Sequence, residues 1–361
     1  MNNRRLLMIS TDRLILEEGS AVRVRQIEYA KEWEEVHIIV FEQGRSCPRK
    51  PDLALTPTPI QISPNCWVYS TQSNSKFLMP FDAIKIGRVI IARREISEIT
   101  CQDSSLTAMA GVSLKKQFKI PLEIQIHEDL GSPYYAYNST NKVRKYLARK
   151  YIPQADKIRV VSERIKIYVE GLLDQRLGMR WRTNNSPKIE VRPIKVNIES
   201  IKSAPIIDGA DLHKLYPQFQ KIVIMASRLE KEKNIELAIE AWPAVIKAIP
   251  HAGLIIVGRG SLTSYLLALS SNLDLGSSVI LKDWALPTTL ASYYKTADLF
   301  LNTSLFEGYG MTLVEAQAAG CPIISTDVGV AREVGAKITT YDKDQVARDI
   351  IEVLNQNDSK N

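Results

Sequence analysis

This sequence has little that would build a metal centre, a disulfide framework or a membrane span. Its four cysteines are Cys47, Cys66, Cys101 and Cys321, and no two form a C-x-x-C pair. That spacing suggests neither a zinc knuckle nor a set of disulfides. Reduced thiols in a cytoplasmic protein are the simplest reading. No apolar run reaches the roughly 18 residues of a transmembrane helix. No signal peptide opens the chain, because Asp12 and Arg13 stop the short apolar run that follows Arg4 and Arg5. The only D-x-D is Asp342-Lys343-Asp344, in a polar stretch that reads as the start of a C-terminal helix. Aromatic residues make up 7% of the chain and do not interleave with basic ones, which argues against a base-stacking platform for nucleic acid. The expectation is a soluble protein or one bound at a membrane surface.

What is present is charge, unevenly spread, on an ordinary globular composition. Residues 1–200 hold 32 Lys and Arg against 22 Asp and Glu, and residues 201–361 hold 15 against 18. A basic first half attracts nucleic acid, anionic lipid or phosphorylated substrates, and charge alone does not choose among them. A chain of 361 residues is long for one core and comfortable for two domains.

The hydrophobic pattern supports two domains. Residues 5–10 read as a buried strand, followed by a loop with Gly19-Ser20, a helical pattern through Ile27, Ala30 and Trp33, and a strand at 36–41. Five prolines in 44–65 predict an irregular excursion. The rhythm resumes with a helix over 104–118, a strand at 122–126 that ends in His127-Glu128-Asp129, a basic helix over 142–150 and a strand at 158–161. The pattern weakens around 193–217, where a linker is expected. Beyond it, strand candidates at 221–226, 253–257, 277–281, 298–302 and 321–325 alternate with helical patterns at 234–249, 262–274, 288–296 and 311–319. Continuous Ile/Val/Leu strands between helices imply a parallel sheet covered on both faces. The boundaries are 1–195 for the first domain, 196–217 for the linker and 218–361 for the second domain. Ligands of such folds sit outside the carboxyl ends of the strands, so a cleft between two such domains is the expected site.

Three strand ends of the second domain offer ligand chemistry. After 221–226 come Arg228 and Lys233, five apart across a strand-to-helix loop. Arginine grips phosphate oxygens bidentately and lysine adds a mobile point charge, although Glu-Lys-Glu-Lys runs are also common on solvated surfaces. After 253–257 comes Gly258-Arg259-Gly260-Ser261. After 298–302 comes Phe306-Glu307-Gly308-Tyr309-Gly310-Met311-Thr312-Leu313-Val314-Glu315. Gly308 and Gly310 let backbone approach a ligand, and a helix start near Met311 exposes free N–H groups suited to an anion. Ordinary helix entry would account for Glu307, but not for the second glycine or for Glu315 inside the helix. A carboxylate there needs a partner, and ligand hydroxyls are good ones.

These residues resemble the donor half of a GT-B glycosyltransferase of family 4. The resemblance rests on Arg228 with Lys233, the glycine turn at Gly258, the pair Glu307 and Glu315 around a G-Y-G turn, and the strand entry Ala319-Gly320-Cys321-Pro322-Ile323-Ile324. It covers most of residues 221–335. Residues 1–190 match the acceptor half more loosely, through Ile124-Gln125-Ile126-His127 and Ala155-Asp156-Lys157-Ile158. The resemblance implies two Rossmann-like doubly wound domains facing across a cleft. It also implies a retaining, metal-independent transfer of a hexose from a nucleotide diphosphate sugar, such as a UDP- or GDP-hexose, to a lipid-linked or saccharide hydroxyl. No other cofactor is expected.

On that resemblance Arg228 and Lys233 would bind the diphosphate. Glu307 would face the sugar, and backbone N–H groups from Gly308, Tyr309, Gly310, Met311, Thr312 and Leu313 would meet sugar or phosphate oxygens. Glu315 would accept from the ribose hydroxyls, and His127 would contact the sugar. Gly19 would stand near the donor phosphates, although the family often has a glycine pair where this chain has Gly19-Ser20. Ser261 likewise stands where proline is frequent.

Lys142, Arg144, Lys145, Arg149 and Lys150, joined by Lys115, Lys116 and Lys119, read either as a solvated face or as an electrostatic foot on anionic lipid. The foot would place the protein on the inner face of the cell membrane. A nucleotide-sugar epimerase and a non-catalytic scaffold on the same fold are the alternatives.

Overall fold

The structure, a computed structural model, describes residues 4–44, 58–177 and 186–358. Cys47 and the prolines at 48, 51 and 57 lie outside them. The chain divides into two compact units, Met1–Gly131 with Ala136–Arg192, and Ser132–Tyr135 with Pro193–Asn361.

The first unit runs β1 (Arg5–Ser10), α1 (Ala21–Ala30), β2 (Glu35–Val40), β3 (Ile60–Ser63), β4 (Cys66–Ser70), α2 (Met79–Arg93), β5 (Glu98–Cys101), α3 (Leu106–Phe118), β6 (Leu122–Ile126), α4 (Ser139–Tyr151), β7 (Lys157–Val160), α5 (Glu163–Leu177) and β8 (Lys188–Val191). Its sheet has the order β3-β4-β2-β1-β5-β6-β7-β8, and β3 is antiparallel to β4 while the other pairings are parallel. The order reverses at β1, from which the chain proceeds to β2 on one side and to β5 on the other. Leu6, Met8, Val36, Ile38, Val40 and Val68 form one core with Ile15, Val22 and Ala30 from the segments that cross over them. The excursion predicted over 44–65 is regular in part. Ile60–Ser63 forms an edge strand with a register shift between Gln61 and Ser63, and Pro59 and Pro64 bracket it. Proline at a strand's ends removes no ladder bond, so it bounds this edge without preventing it.

The second unit runs α6 (Ile198–Ser203), α7 (Leu212–Leu215), β9 (Lys221–Ala226), α8 (Ile235–Ala248), β10 (Ala252–Val257), α9 (Thr263–Asn272), β11 (Val279–Lys282), α10 (Pro287–Thr296), β12 (Leu299–Asn302), α11 (Met311–Ala318), β13 (Ile323–Thr326), β14 (Lys337–Thr339) and α12 (Lys343–Asp358). The sheet is parallel throughout, in the order β11-β10-β9-β12-β13-β14. Alternate residues of β9 feed two cores. Val223 and Met225 meet α8 and α12 through Trp242, Val346 and Ile350, while Ile222 and Ile224 meet Tyr294, Phe300 and Leu313. That two-sided burial is why these strands read as unbroken apolar runs.

The stretch read as a linker carries α6 and α7, and Ser292 and Thr296 of α10 accept the N–H groups of Ile207 and Leu212. Asp342 caps α12, its carboxylate accepting the Gln345 N–H at 2.8 Å, so the D-x-D is the helix start expected of it. Cys66, Cys101 and Cys321 are free and buried, and burial pushes the thiols of Cys66 and Cys321 up to about 12. Among the described residues no helix is long and apolar enough to cross a membrane.

Candidate functional site

In the second unit the chain leaves β9 for β10 on one side and later returns to β12 on the other, so the sheet switches direction between β9 and β12. Strand-end loops at such a point form a natural crevice. The loops after β9 and β10 are zipped together: the Leu229 N–H donates to Arg259 O at 2.9 Å, and the Leu262 N–H to Leu229 O at 3.0 Å. Glu230 accepts from the Ser261 hydroxyl at 2.6 Å and from its N–H at 2.9 Å, which holds the carboxyl below its usual range. This contact gives Ser261 a role that proline, lacking an N–H, could not fill.

The two glycines here are required by neighbouring backbone. A Cβ at Gly258, where φ is +152°, would lie 1.9 Å from Ser227 O, and one at Gly260 would lie 2.2 Å from Leu229 O. Arg228 is exposed and pairs with Glu232 at 2.7 Å.

The loop after β12 lies on the loop after β9. The Leu305 N–H donates to Glu232 O at 2.8 Å, and Thr303 Oγ1 lies 2.9 Å from Asn234 O. This brings Lys233 and Glu307, 74 residues apart, into a direct ion pair with both side chains largely buried. Ser304 Oγ lies 2.8 Å from Glu307 Oε1 and 2.7 Å from Asn302 Oδ1, and Asn302 Nδ2 donates to Ser325 Oγ at 2.9 Å. A polar ladder from β13 through β12 therefore holds the Glu307 carboxylate. Asn302, Ser304 and Ser325 were missed as site residues, and polar residues ending apolar strands are the signal that could have found them.

The turn beyond Glu307 enters α11 through Gly310, whose φ of +89° lies in the left-handed region. Of the backbone donors expected there, the Leu313 N–H is already bonded to Gly310 O at 3.0 Å, and its side chain belongs to the core. The Leu313 N–H is thus already engaged within the turn. The N–H groups of Met311 and Thr312 have no protein acceptor among the described residues, as is usual for the first N–H groups of a helix. Gly329, which the sequence did not single out, supports the turn from below. The Val330 N–H donates to Tyr309 O at 2.9 Å, and a Cβ on Gly329 would lie 2.3 Å from that oxygen. Glu315 stands one turn inside α11 and accepts the Tyr294 hydroxyl at 3.3 Å. Burial raises its carboxyl above the usual range, and burial beside Glu315 raises the Tyr294 hydroxyl further.

In the first unit, His127 ends β6 with Nε2 3.2 Å from Gln125 Oε1. The residue is exposed at the surface, yet the atoms packed around the ring and the Arg159 guanidinium hold the imidazole down at about 4. Gly19 lies in a left-handed turn before α1 with open space around it, so its glycine character serves the turn. On α4, Lys142, Arg144, Arg149 and Lys150 are exposed together with Val143 and Tyr146, while Lys145 reaches over the Tyr168 ring. Arg144 also meets Glu128 at 3.4 Å. Lys115 does not join an open patch. It is tied to Asp156 at 2.7 Å and to Gln154 O at 2.9 Å. Among the described residues no three His, Cys, Asp or Glu side chains gather as metal ligands.

Residues 214–361 match the family described as glycosyl transferases group 1. The chain is 26% identical over 246 residues to the alpha-monoglucosyldiacylglycerol synthase of Streptococcus pneumoniae, a match that covers 65% of this chain and 53% of the relative. The chain spans about half or less of the length of the curated relatives it matches. A solved sucrose-phosphate synthase from Thermosynechococcus elongatus superposes with a TM-score of 0.73 at 19% identity, covering 98% of this chain and 90% of that one. An Anabaena protein, HepE, solved with UDP and glucose, superposes with a TM-score of 0.66 at 18% identity, covering 98% and 91%. These structural likenesses show the fold, GT-B, with its two Rossmann-like units.

Proposed function

We propose that the chain, whose residues 214–361 match the glycosyl transferases group 1, transfers a hexose from a nucleotide diphosphate sugar to a hydroxyl in the synthesis of a cell-envelope glycan or glycolipid. The observation that carries this reading is the Lys233–Glu307 pair at the switch point, beside the start of α11. The ammonium and the carboxylate neutralise one another. A diphosphate would compete for the Lys233 ammonium, aided by Arg228 and the N–H groups of Met311 and Thr312. The freed Glu307 carboxylate would then accept from sugar hydroxyls. Glu315, whose carboxyl burial raises above its usual range, would gain partners from ribose hydroxyls.

The transfer proposed is retaining. The bond from the anomeric carbon to the phosphate oxygen breaks, and the acceptor oxygen bonds to that carbon on the same face. The acceptor's proton goes to the departing phosphate. The transition state is oxocarbenium-like, and negative charge grows on the leaving diphosphate. A helix terminus supplies about 0.3–1 kcal/mol at exposed sites, whereas removing a preorganised donor near developing charge costs about 2.7–4 kcal/mol. The two cations are therefore the larger contribution, and they can act without a metal.

The relative named as a diacylglycerol glucoside synthase favours a lipid-linked acceptor. Exposed Val143 and Tyr146 among the α4 cations favour a site on anionic lipid at the inner face of the membrane.

A thermal-shift panel of nucleoside diphosphates and nucleotide sugars tests the donor. Binding at 100 times Kd stabilises by about 2.7 kcal/mol, and the reading predicts a clear shift with one base. The absence of any shift across the panel would sink it. Release of nucleoside diphosphate only when acceptor is added distinguishes transfer from epimerisation.

A further inference from the structure

A chain of buried side chains runs behind His127 along β5, β6 and β7, and its hydrogen bonds have only one consistent direction. Lys157 Nζ lies 2.9 Å from Glu123 Oε2. Thr100 Oγ1 lies 3.1 Å from Glu123 Oε1, Gln125 Nε2 lies 3.0 Å from Thr100 Oγ1 and 3.1 Å from Glu123 Oε1, and Gln125 Oε1 lies 3.2 Å from His127 Nε2. Thr100, Glu123 and Gln125 are each at least 95% buried.

A carboxylate only accepts, so Glu123 takes the single Thr100 proton and one Gln125 amide proton. The second amide proton goes to the Thr100 oxygen, whose lone pairs are what it has left to offer. The Gln125 carbonyl is then what faces the histidine. Turning the amide over would set its oxygen against the Glu123 carboxylate and leave buried donors unmet. His127 Nε2 must therefore donate. His127 Nδ1 has no protein partner among the described residues.

We infer that Gln125 and Glu123 are positioning residues that fix His127 as the Nε2–H tautomer, so that Nδ1 presents a lone pair to a ligand hydroxyl. The ring then accepts from an O–H group and cannot donate from Nδ1 to a phosphate oxygen. A neutral, hydroxyl-bearing ligand group is selected over an anionic one. Such second-layer bonds set ring orientation and tautomer for histidines generally. The imidazole held at about 4 keeps the ring neutral at pH 7, where its tautomer can be read. The inference rests on the glycosyl-transfer reading only for naming that hydroxyl as a sugar's.

The test is nitrogen-15 histidine NMR on the full chain at pH 7, using the carbon-bound ring protons to identify which nitrogen is protonated. The chain has four histidines, and His127→Gln assigns the signal by its loss. The wild type is expected to show Nε2 protonated and Nδ1 bare. Gln125→Met, which removes the acceptor facing the ring, should give a mixture of tautomers. A wild-type signal with the proton on Nδ1 overturns the inference, and so does an unchanged tautomer in folded Gln125→Met. If that variant fails to fold, the wild-type spectrum alone decides. The readout needs no donor or acceptor, so its failure and failure of the nucleotide-sugar reading are separate results.

Discussion

Lys233 is the residue whose loss should separate binding architecture from bystander charge. It is largely buried and reaches Glu307 directly, whereas Arg228 is exposed and pairs with its own loop. Lys233→Ala should lower transfer by roughly 100-fold or more, as loss of a donor near developing charge does, and steady-state kinetics with saturating donor check it. Near-normal turnover would remove Lys233 from the site. Gly329→Ala makes a second demand. Its φ is +51°, and the added methyl would press on Tyr309 O at 2.3 Å and the Glu307 Cβ at 3.1 Å. A cost of about 1–3 kcal/mol is expected for such strain, read as a lower Tm together with a raised donor KM.

Protonation should matter in the first unit. Burial lowers the ring of His37, which faces Glu35, Tyr69, Arg94 and Arg5, and burial with Arg159 lowers His127, which also faces Asp103. An unfolded histidine titrates near 6.5, so between there and about 4 the unfolded chain binds more protons than the folded one. Stability from these rings is full above about 6.5 and is lost as pH falls. Chemical melts at pH 7 and 5 should show this fall, and it should shrink in His37→Gln. Residue types and positions were the legible part of the candidate site: Arg228 and Lys233 follow β9, Glu307 follows β12, and Glu315 lies one turn inside α11, where the sequence pattern put them. Illegible were contacts between distant loops. The close crossing of Ser227 O at Gly258 and the place of Gly329 under Tyr309 became visible only in the folded chain.

At the level of elements, the parallel strands were the most readable feature because burial on both faces leaves unbroken apolar runs. β6 and β9 fall where the pattern placed them, and β13 begins two residues later than expected because Cys321 and Pro322 lead into it. The edge strand β3 was hidden by the prolines around it. α6 and α7 were hidden because their fit comes from α10 hydroxyls far along the chain. The α8–α12 packing offers a direct test. Trp242 is fully buried at the centre of that core, against the face that holds Val346, Ile350 and Leu354. Trp242→Ala should cost about 3–5 kcal/mol, a fall in Tm of roughly 10 °C for a unit of this size. Trp242→Phe should cost far less than the alanine change, because the indole N–H is buried without a partner and nothing polar is lost with it. Equal losses in the two variants would mean that packing volume is not what the indole contributes.

For the molecule as a whole, the decisive property is the charge surplus of its first 200 residues and where that surplus is displayed. Many of those charges are spent locally: Lys115 holds Asp156, Lys157 holds Glu123 and Arg192 holds Glu190. What α4 displays differs. Lys142, Arg149 and Lys150 are exposed with no carboxylate partner among the described residues, and Val143 and Tyr146 stand exposed among them. A surface that meets anionic headgroups and the acyl boundary combines basic and apolar residues in this way. Each cation near such a surface adds about 1 kcal/mol. The triple change of Lys142, Arg149 and Lys150 to alanine should then weaken binding to vesicles containing phosphatidylserine by about 3 kcal/mol, roughly 100-fold. Raising salt should weaken the wild type in the same direction, since the Debye length shrinks from about 10 Å at 0.1 M to about 3 Å at 1 M. Co-sedimentation across a lipid titration measures both effects, and an unchanged Tm shows that the variant is folded. Tyr146→Ala should lower binding further in the triple variant, because its contribution is apolar and insensitive to salt. Equal binding of the wild type to neutral and anionic vesicles would leave α4 a solvated face, and the lipid-linked acceptor would lose its structural support.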